Sequence, residues 1–229
     1  MISVILPTFN ERKNIVLISK KLSSIKLVND VIFVDDRSTD GTLSEIKKIK
    51  KKKFRGFSRK SKNRDLSKSV IYGANKARNK YVVVMDCDLQ HDVNYIFKMW
   101  KKFTNSKSDI IIANRFKNKR YSGNLGFLRS ILSNSAIGII NGIFGKKTSD
   151  PLSGFFLCKK ELLIKYKSNY YLKGYKILFD LIYNGKQKLI INEIDINFKK
   201  RNFEKSKFNL RVIWLFLGQM IYTKFVEKK

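Results

Sequence analysis

The sequence predicts an α/β protein built on a doubly wound, mostly parallel sheet. Short apolar runs alternate with segments whose apolar residues recur at helical spacing, and this alternation is typical of parallel sheets. With 229 residues, of which 43% are hydrophobic, and no Ser/Gly/Pro-rich linker, the chain is long enough to bury one sizeable core. Three of the apolar runs end in polar motifs, and parallel sheets bind ligands beyond the carboxyl ends of their strands.

The first predicted strand is a continuous apolar run, as expected of a strand buried on both faces. The first predicted helix spaces its apolar residues three or four apart, from Ile15 to Ile25. The predicted strands are residues 2–7, 31–34, 54–57, 81–85 and 110–113, of which 54–57 has the weakest pattern. The predicted helices between them are residues 14–27, 40–49, 66–78 and 93–103.

The pattern changes after residue 120. Residues 125–144 are mostly apolar or small, and residues 210–226 form a second apolar stretch that is rich in aromatic residues. Arg211, Gln219 and Lys224 interrupt the second stretch, which therefore falls short of the roughly 20 apolar residues of a membrane span. Cations beside an aromatic-rich helix suit a membrane interface; an ordinary core or dimer helix is the alternative.

The charge and the cysteines limit the possible partners and compartment. The net charge is +31, and residues 47–68 hold twelve Lys or Arg and a single acid, Asp65. Such a surface attracts nucleic acid or an anionic membrane, although many lysines can simply be solvated. Cys87 and Cys158 imply no disulfide framework and fit a reducing compartment, and residues 1–7 read as a strand rather than a signal peptide. We expect a cytoplasmic protein.

The most informative motif follows the strand at residues 81–85. Asp86, Asp88 and Gln90 stand at alternate positions where that strand ends. They supply the hard oxygen ligands that suit Mg²⁺ or Mn²⁺, with phosphate oxygens completing the octahedron. The alternative is an Asp-rich turn that caps the next helix. A nucleic-acid-binding function would not explain why acidic residues follow three of the strands. That function is therefore disfavoured.

Two further motifs follow the first and second strands. After the first, Pro7 predicts a stiff turn from which Phe9 could lie along a nucleotide base, while Asn10 or Glu11 accepts hydrogen bonds from its edge. The alternative is a helix start with Asn10 as the cap and Glu11 favoured by the helix dipole. After the second strand, residues 35–42 offer acids for a ribose or base edge, and Ser38 or Thr39 with Asp40 could also begin a helix.

Together these motifs resemble those of the family 2 GT-A glycosyltransferases, and more narrowly the polyprenyl-phosphate (dolichyl-phosphate) mannosyltransferases and glucosyltransferases. The resemblance covers nearly the whole chain. It continues through Ala-Asn-Arg-Phe at 113–116, Asp-Pro-Leu-Ser-Gly-Phe at 150–155, Gly-Tyr-Lys at 174–176, Arg201 and Ser-Lys at 206–207. Asp92 departs from the family's usual Pro, and Cys87 from its usual Ala.

The resemblance implies a metal-dependent enzyme with a GT-A fold. It would transfer a single hexose, with inversion, from a nucleoside-diphosphate sugar to a polyprenyl phosphate; GDP-mannose is favoured and UDP-glucose comes next. The alternative is a family 2 enzyme with another glycan or lipid acceptor. Polymer synthesis is disfavoured because neither tryptophan follows the Gln-x-x-Arg pattern of processive synthases.

The resemblance also implies residue roles. Asp86, Asp88 and Gln90 would bind Mg²⁺ or Mn²⁺ against the diphosphate. The residues implied for nucleotide-sugar binding are Pro7, Phe9, Glu11, Asp36 and Asp86. The residues implied for catalysis, through the acceptor phosphate and the leaving diphosphate, are Asp88, Arg115, Arg129, Arg201 and Lys207.

A phosphate acceptor is already an anion at neutral pH, so no strongly activated base is required. The chain has one histidine, His91, and no Ser-His-Asp or Cys-His arrangement. We expect a structural role for His91, with general base as the alternative. Whether Asp88 or Asp150 orients the acceptor stays open.

The predicted organisation is a GT-A domain at residues 1–208, with an acceptor-side interfacial segment at about 120–150, and an amphipathic C-terminal helix at 209–229. We expect peripheral association with the cytoplasmic face of a membrane, either directly or through a separate membrane-anchoring subunit.

Overall fold

The structure, a computed structural model, describes residues 1–61, 63–117, 120–121, 127–185, 188–199 and 210–226. The side chains of residues 117–132, 210 and 226 are outside this description.

The described chain alternates strands and helices in its first half, as predicted. The strands are β1 (Ile2–Thr8), β2 (Val28–Asp35), β3 (Phe54–Ser58), β4 (Tyr81–Val84), β5 (Ile110–Asn114), β6 (Phe116–Lys117), β7 (Arg120–Tyr121), β8 (Phe156–Lys159) and β9 (Ile191–Asp195). The helices are α1 (Arg12–Ser23), α2 (Thr42–Lys47), α3 (Leu66–Lys76), α4 (Tyr95–Asn105), α5 (Phe127–Phe144), α6 (Lys160–Lys165), α7 (Ile177–Tyr183) and α8 (Leu210–Val226), with a 3₁₀ turn at Lys167–Asn169.

The main sheet has seven strands in the order β3-β2-β1-β4-β8-β5-β9. Only β8 runs antiparallel to its neighbours within this described sheet, so the predicted mostly parallel sheet is confirmed. Thr8 of β1 pairs with Asp35 of β2, and Ile5 pairs with Val84 of β4. The three loops that follow these strands therefore leave the sheet at one edge.

Helices cover both faces of the sheet. Apolar residues of α1, α2 and α4, such as Ile18 and Met99, pack on one face. Residues of α3, α5, α6, α7 and α8, such as Val70 and Phe179, pack on the other. The central strands are buried on both sides, which explains their continuous apolar runs.

Two boundaries differ from the prediction by three residues or more. Helix α1 ends at Ser23 rather than at residue 27, because the chain turns there: the Val28 amide donates to the Ile25 carbonyl (3.1 Å). Strand β2 begins three residues earlier than predicted, at Val28. Its polar residue Asp30 is buried with hydrogen bonds from Ser3 Oγ (2.7 Å) and Arg55 Nε (2.9 Å), so a carboxylate is tolerated inside the strand.

Helix α8 is buried along one face and exposed along the other. Val212, Gln219, Met220 and Thr223 are buried, whereas Trp214, Leu217, Ile221 and Phe225 are exposed. We call the four exposed residues the apolar stripe; their spacing places them along one side of the helix. Within the described ranges, no helix is long and apolar enough to cross a membrane.

Candidate active site

A cavity of about 380 Å³ lies at the sheet edge where the loops after β1, β2 and β4 meet. Every predicted site residue whose side chain the structure describes lines it. These residues are Pro7, Phe9, Glu11, Asp36, Asp86, Asp88, Gln90 and Arg115. Arg201 and Lys207 lie outside the described residues, as does the side chain of Arg129, so their roles stay predictions.

The loops after β1 and β2 are hydrogen-bonded to each other. The Asn10 amide donates to Ser38 Oγ (2.8 Å), and Asn10 Oδ1 accepts from the Thr39 amide (2.9 Å). The Glu11 amide donates to Thr42 Oγ1 (2.8 Å). Asn10 is therefore not the cap of α1; Glu11 holds that position, without a side-chain capping bond. These hydrogen bonds fix the position of the loop that carries Glu11 into the cavity.

Backbone strain collects at the same edge. Asn10, Arg37 and Leu89 have φ angles of 51°, 67° and 63°, in the left-handed region that non-glycine residues rarely adopt. Each such residue costs on the order of 1–3 kcal/mol. Each of the loops after β1, β2 and β4 contains one of these three residues. Strain of this kind clusters at functional sites.

Three residues that contact Phe9 or Asp36 were missed by sequence reasoning: Arg59, Arg64 and Asp65. Arg59 donates to both carboxylate oxygens of Asp36 (2.7 and 2.9 Å), and the Asp65 amide donates to Asp36 Oδ2 (2.6 Å). The Arg64 guanidinium lies 4.2 Å from the centre of the Phe9 ring. Burial raises the pKa of the Asp65 carboxyl to about 6. Its position as the single acid in a basic stretch was the signal that could have identified it.

The predicted cation ligands Asp86, Asp88 and Gln90 line the same cavity. Gln90 Nε2 donates to the Lys199 carbonyl (3.0 Å), and the Lys199 amide donates to the Gln90 carbonyl (2.9 Å). These bonds fix the orientation of the Gln90 side-chain amide. Because its NH₂ group donates to a backbone carbonyl, its oxygen is the atom that would bind a metal ion.

Among the described residues, no three His, Cys, Asp or Glu side chains form a metal-binding cluster. A divalent ion held by the two aspartates and Gln90 would therefore complete its coordination shell with phosphate and water oxygens, as Mg²⁺ commonly does. This donor set fits a cation that binds together with a diphosphate.

Gly154 makes room for the Asp86 carboxylate. A Cβ atom at Gly154 would lie 2.6 Å from Asp86 Oδ2, which is closer than van der Waals contact allows. The loop cannot easily retreat, because Ser153 Oγ donates to the Ala113 carbonyl (2.8 Å) and accepts from the Phe155 amide (3.2 Å). Glycine is therefore required beside Asp86.

Gly154→Ala is expected to displace the Asp86 carboxylate and to lower kcat by about 10²-fold, as an ångström-scale misplacement does. Steady-state turnover measures the effect, and thermal unfolding reports whether the fold is kept. Gly138→Ala is the matched control, since nothing lies within 4 Å of a Cβ there. Equal activity of the two variants would contradict the role assigned to Gly154.

Arg115 is held by a buried ion pair. Its Nε and NH2 atoms donate to the two oxygens of Asp150 at 2.7 and 2.8 Å, and its amide donates to the same carboxylate (3.2 Å). Asp150 is fully buried, whereas Asp88 lines the cavity. Of the two acids left open, Asp150 therefore positions Arg115, and only Asp88 lines the cavity.

His91 is buried between two aromatic rings. Its ring centre lies 5.0 Å from that of Phe155 and 5.1 Å from that of Phe198. Burial lowers the pKa of His91 to about 4, so the imidazole is neutral at neutral pH and a weak base. This environment favours the structural role over the general base.

The comparisons with known proteins identify the family. The family described as glycosyl transferase family 2 matches residues 3–167 of the chain. The chain belongs to glycosyl transferase family 2. The predicted family and the prediction of an enzyme are thereby confirmed.

Several relatives carry the name dolichol-phosphate mannosyltransferase, among them proteins from Pyrococcus furiosus and Saccharomyces cerevisiae. The Pyrococcus furiosus protein is 33% identical over 220 residues, which cover 94% of this chain and 61% of that protein. The Saccharomyces cerevisiae protein is 27% identical over 235 residues, covering 95% and 85%. The chain thus spans less than two thirds of the length of the Pyrococcus relative.

A solved structure shows the same fold. Glucosyl-3-phosphoglycerate synthase from Mycobacterium tuberculosis, crystallised with Mn²⁺, UDP-glucose and phosphoglyceric acid, superposes with a TM-score of 0.73 at 20% identity. The match covers 99% of this chain and 79% of that chain. The predicted GT-A fold class is confirmed.

Proposed function

We propose that this chain transfers one hexose from a nucleoside-diphosphate sugar to a polyprenyl phosphate at a membrane surface. The observation that carries the proposal is the cavity in which Asp86, Asp88 and Gln90 face the nucleotide-side residues Phe9 and Asp36. The mannosyltransferase names of the two relatives support dolichol phosphate as the acceptor and mannose as the sugar. We favour GDP-mannose as the donor, with UDP-glucose next.

The reaction needs charge stabilisation more than proton transfer. An oxygen of the acceptor phosphate forms a bond to the anomeric carbon while the bond from that carbon to the diphosphate breaks, which inverts the configuration. The nucleoside diphosphate leaves with the electron pair, and no proton has to be removed. Mg²⁺ or Mn²⁺, when bound, supplies Lewis-acid stabilisation of the leaving diphosphate.

The chain's own residues orient the reactants. Asp86, Asp88 and Gln90 would hold the cation, and Phe9 with Arg64 would hold the base. Arg115, oriented by Asp150, would face the phosphates, where preorganised cations stabilise developing charge. Arg129, Arg201 and Lys207 are proposed to complete the acceptor side. The Mn²⁺ in the Mycobacterium tuberculosis neighbour supports the use of a divalent ion in this family.

Membrane association is the second part of the proposal. Helix α8 lines the cavity through Arg211, Val212 and Leu215 and carries the apolar stripe on its exposed side. Burial of this stripe at the surface of a bilayer would bring the cavity to the lipid phosphate, and the basic charge of the chain favours anionic lipids. We propose peripheral action at the cytoplasmic face, with a membrane-anchoring subunit as the alternative.

A substrate panel tests the proposal. GDP-mannose and UDP-glucose, each labelled in the sugar, are incubated with a short polyprenyl phosphate or with phosphoglyceric acid, in Mn²⁺, Mg²⁺ or EDTA. The proposal expects labelled glycolipid that requires the metal. Transfer only to the soluble phosphoglyceric acid would contradict the lipid acceptor, and no transfer to either would contradict the proposed function.

A further inference from the structure

Residues 171–176, which we call the clip segment, lie between the nucleotide side of the cavity and helix α8. The segment holds two residues with left-handed backbone, Leu172 (φ 49°) and Gly174 (φ 106°). A strained conformation persists only where surrounding contacts determine it. Its contacts run in two directions.

The middle of the clip segment is hydrogen-bonded to the start of α3. The Gly174 amide donates to Asp65 Oδ2 (3.0 Å), and the Ser67 amide and hydroxyl both donate to the Gly174 carbonyl (3.2 and 3.3 Å). The Asp65 amide in turn donates to Asp36, the acid on the nucleotide side. Asp65 therefore links the clip segment to Asp36, whose side chain is proposed to bind the nucleotide sugar.

The residues on either side of Gly174 are hydrogen-bonded to α7 and α8. Gln219 Nε2 donates to the Lys176 carbonyl (3.1 Å). The Asp180 carboxylate of α7 accepts from the amides of Tyr171 (3.1 Å) and Leu172 (3.4 Å). Gln219 is buried, so its side-chain amide depends on the bond to the Lys176 carbonyl.

The clip segment also packs closely against α8. A Cβ atom at Gly174 would lie 3.4 Å from Leu215 Cβ, and one at Gly218 would lie 2.7 Å from the Tyr171 hydroxyl. Leu215 itself lines the cavity. A shift of α8 would therefore move the clip segment, and a shift of the clip segment would move α8.

We infer that the clip segment couples nucleotide binding to helix α8, with Asp65 and Gln219 as the positioning residues that contact it. The inference rests on the proposed function, because it assigns the nucleotide to the Asp36 side of the cavity. A nucleotide that orders Asp36 also orders Asp65, Gly174 and, through the segment, Gln219. Such coupling is reciprocal, so fixing α8 strengthens nucleotide binding.

A double-mutant cycle tests the coupling. Asp65→Ala and Gln219→Leu each remove one of these side-chain contacts, and each is expected to raise the KM for the nucleotide sugar about fivefold with little change in kcat. If both act through the clip segment, the double variant is no worse than the poorer single variant. Multiplied effects, about 25-fold, would mean independent actions and would overturn the inference.

Thr223→Val is the matched control on α8. Thr223 is buried and donates from Oγ1 to the Gln219 carbonyl (2.9 Å), within the helix. Because it contacts no clip residue through that bond, the variant should keep the donor KM within about twofold. A rise equal to that of Gln219→Leu would assign the effect to general loosening of α8 and overturn the inference.

Hydrogen exchange provides a readout that does not need turnover. Addition of GDP or UDP with Mn²⁺ is expected to slow amide exchange in residues 171–176 and in the first turns of α8. In Gln219→Leu the slowing should stop at the clip segment. Nucleotide binding that leaves exchange of 171–176 unchanged would overturn the coupling alone, whereas binding of neither nucleotide would overturn the proposed function as well.

Discussion

Asp88→Asn is expected to lower kcat for hexose transfer by about 10³-fold, because a catalytic metal supplies several kcal/mol of charge stabilisation. Asp88 is buried and lines the cavity, so its carboxylate is placed to hold the cation. The substitution keeps a side-chain oxygen that can accept the hydrogen bond from the Gln90 backbone amide (3.2 Å). The fold should therefore survive, as checked by thermal unfolding.

Asp92→Asn is the control for this substitution. Asp92 lies four residues further along the chain, paired with Lys199 (2.7 Å), whose side chain is 52% exposed. Exposed pairs of this kind contribute about 0–1 kcal/mol, so activity should stay close to that of the unsubstituted protein. Full metal-dependent activity in Asp88→Asn would refute its role as a metal ligand.

The double substitution Trp214→Ser and Ile221→Ser is expected to weaken binding to anionic lipid vesicles by more than about tenfold. Each large apolar side chain contributes about 1.5–3 kcal/mol on full burial, and 1.4 kcal/mol is a factor of ten. Both side chains are exposed, by 73% and 60%, so their loss should leave the fold unchanged. Vesicle co-sedimentation measures the effect, and KM for a long polyprenyl phosphate should rise in parallel.

Phe97→Ser is the matched control for the apolar stripe. Phe97 is 61% exposed but lies on α4, which packs on the opposite face of the sheet from α8. It should not alter vesicle binding. If Phe97→Ser weakens binding as much as the double substitution does, or if the double substitution has no effect, the apolar stripe is not the membrane contact.

The sequence predicted those parts of the fold that depend on local pattern. The strands at Val31, Tyr81 and Ile110 are buried on both faces and appear as continuous apolar runs. The motifs after β1, β2 and β4 were located because each follows such a run directly. Their meeting in one cavity followed from parallel strand order, without knowledge of any contact.

The missed parts depend on pairings between distant residues. Strand β8 is only four residues long and inserts antiparallel between β4 and β5, an arrangement that periodicity does not reveal. Arg59 and Asp65 were hidden in a lysine-rich stretch, and their contacts with Asp36 span 23 and 29 residues. The hydrogen bond between Gln219 and Lys176 spans 43 residues, and a glutamine or a lysine in the sequence does not predict such a contact.

The most direct test of the central claim is Mn²⁺ binding followed by electron paramagnetic resonance, with and without a nucleoside diphosphate. If Asp86, Asp88 and Gln90 share the ion with a diphosphate, the signal of free Mn²⁺ should fall sharply only when GDP or UDP is present, and Asp88→Asn should abolish that fall. Mn²⁺ uptake that is the same in Asp88→Asn, or that ignores both nucleotides, would contradict the claim.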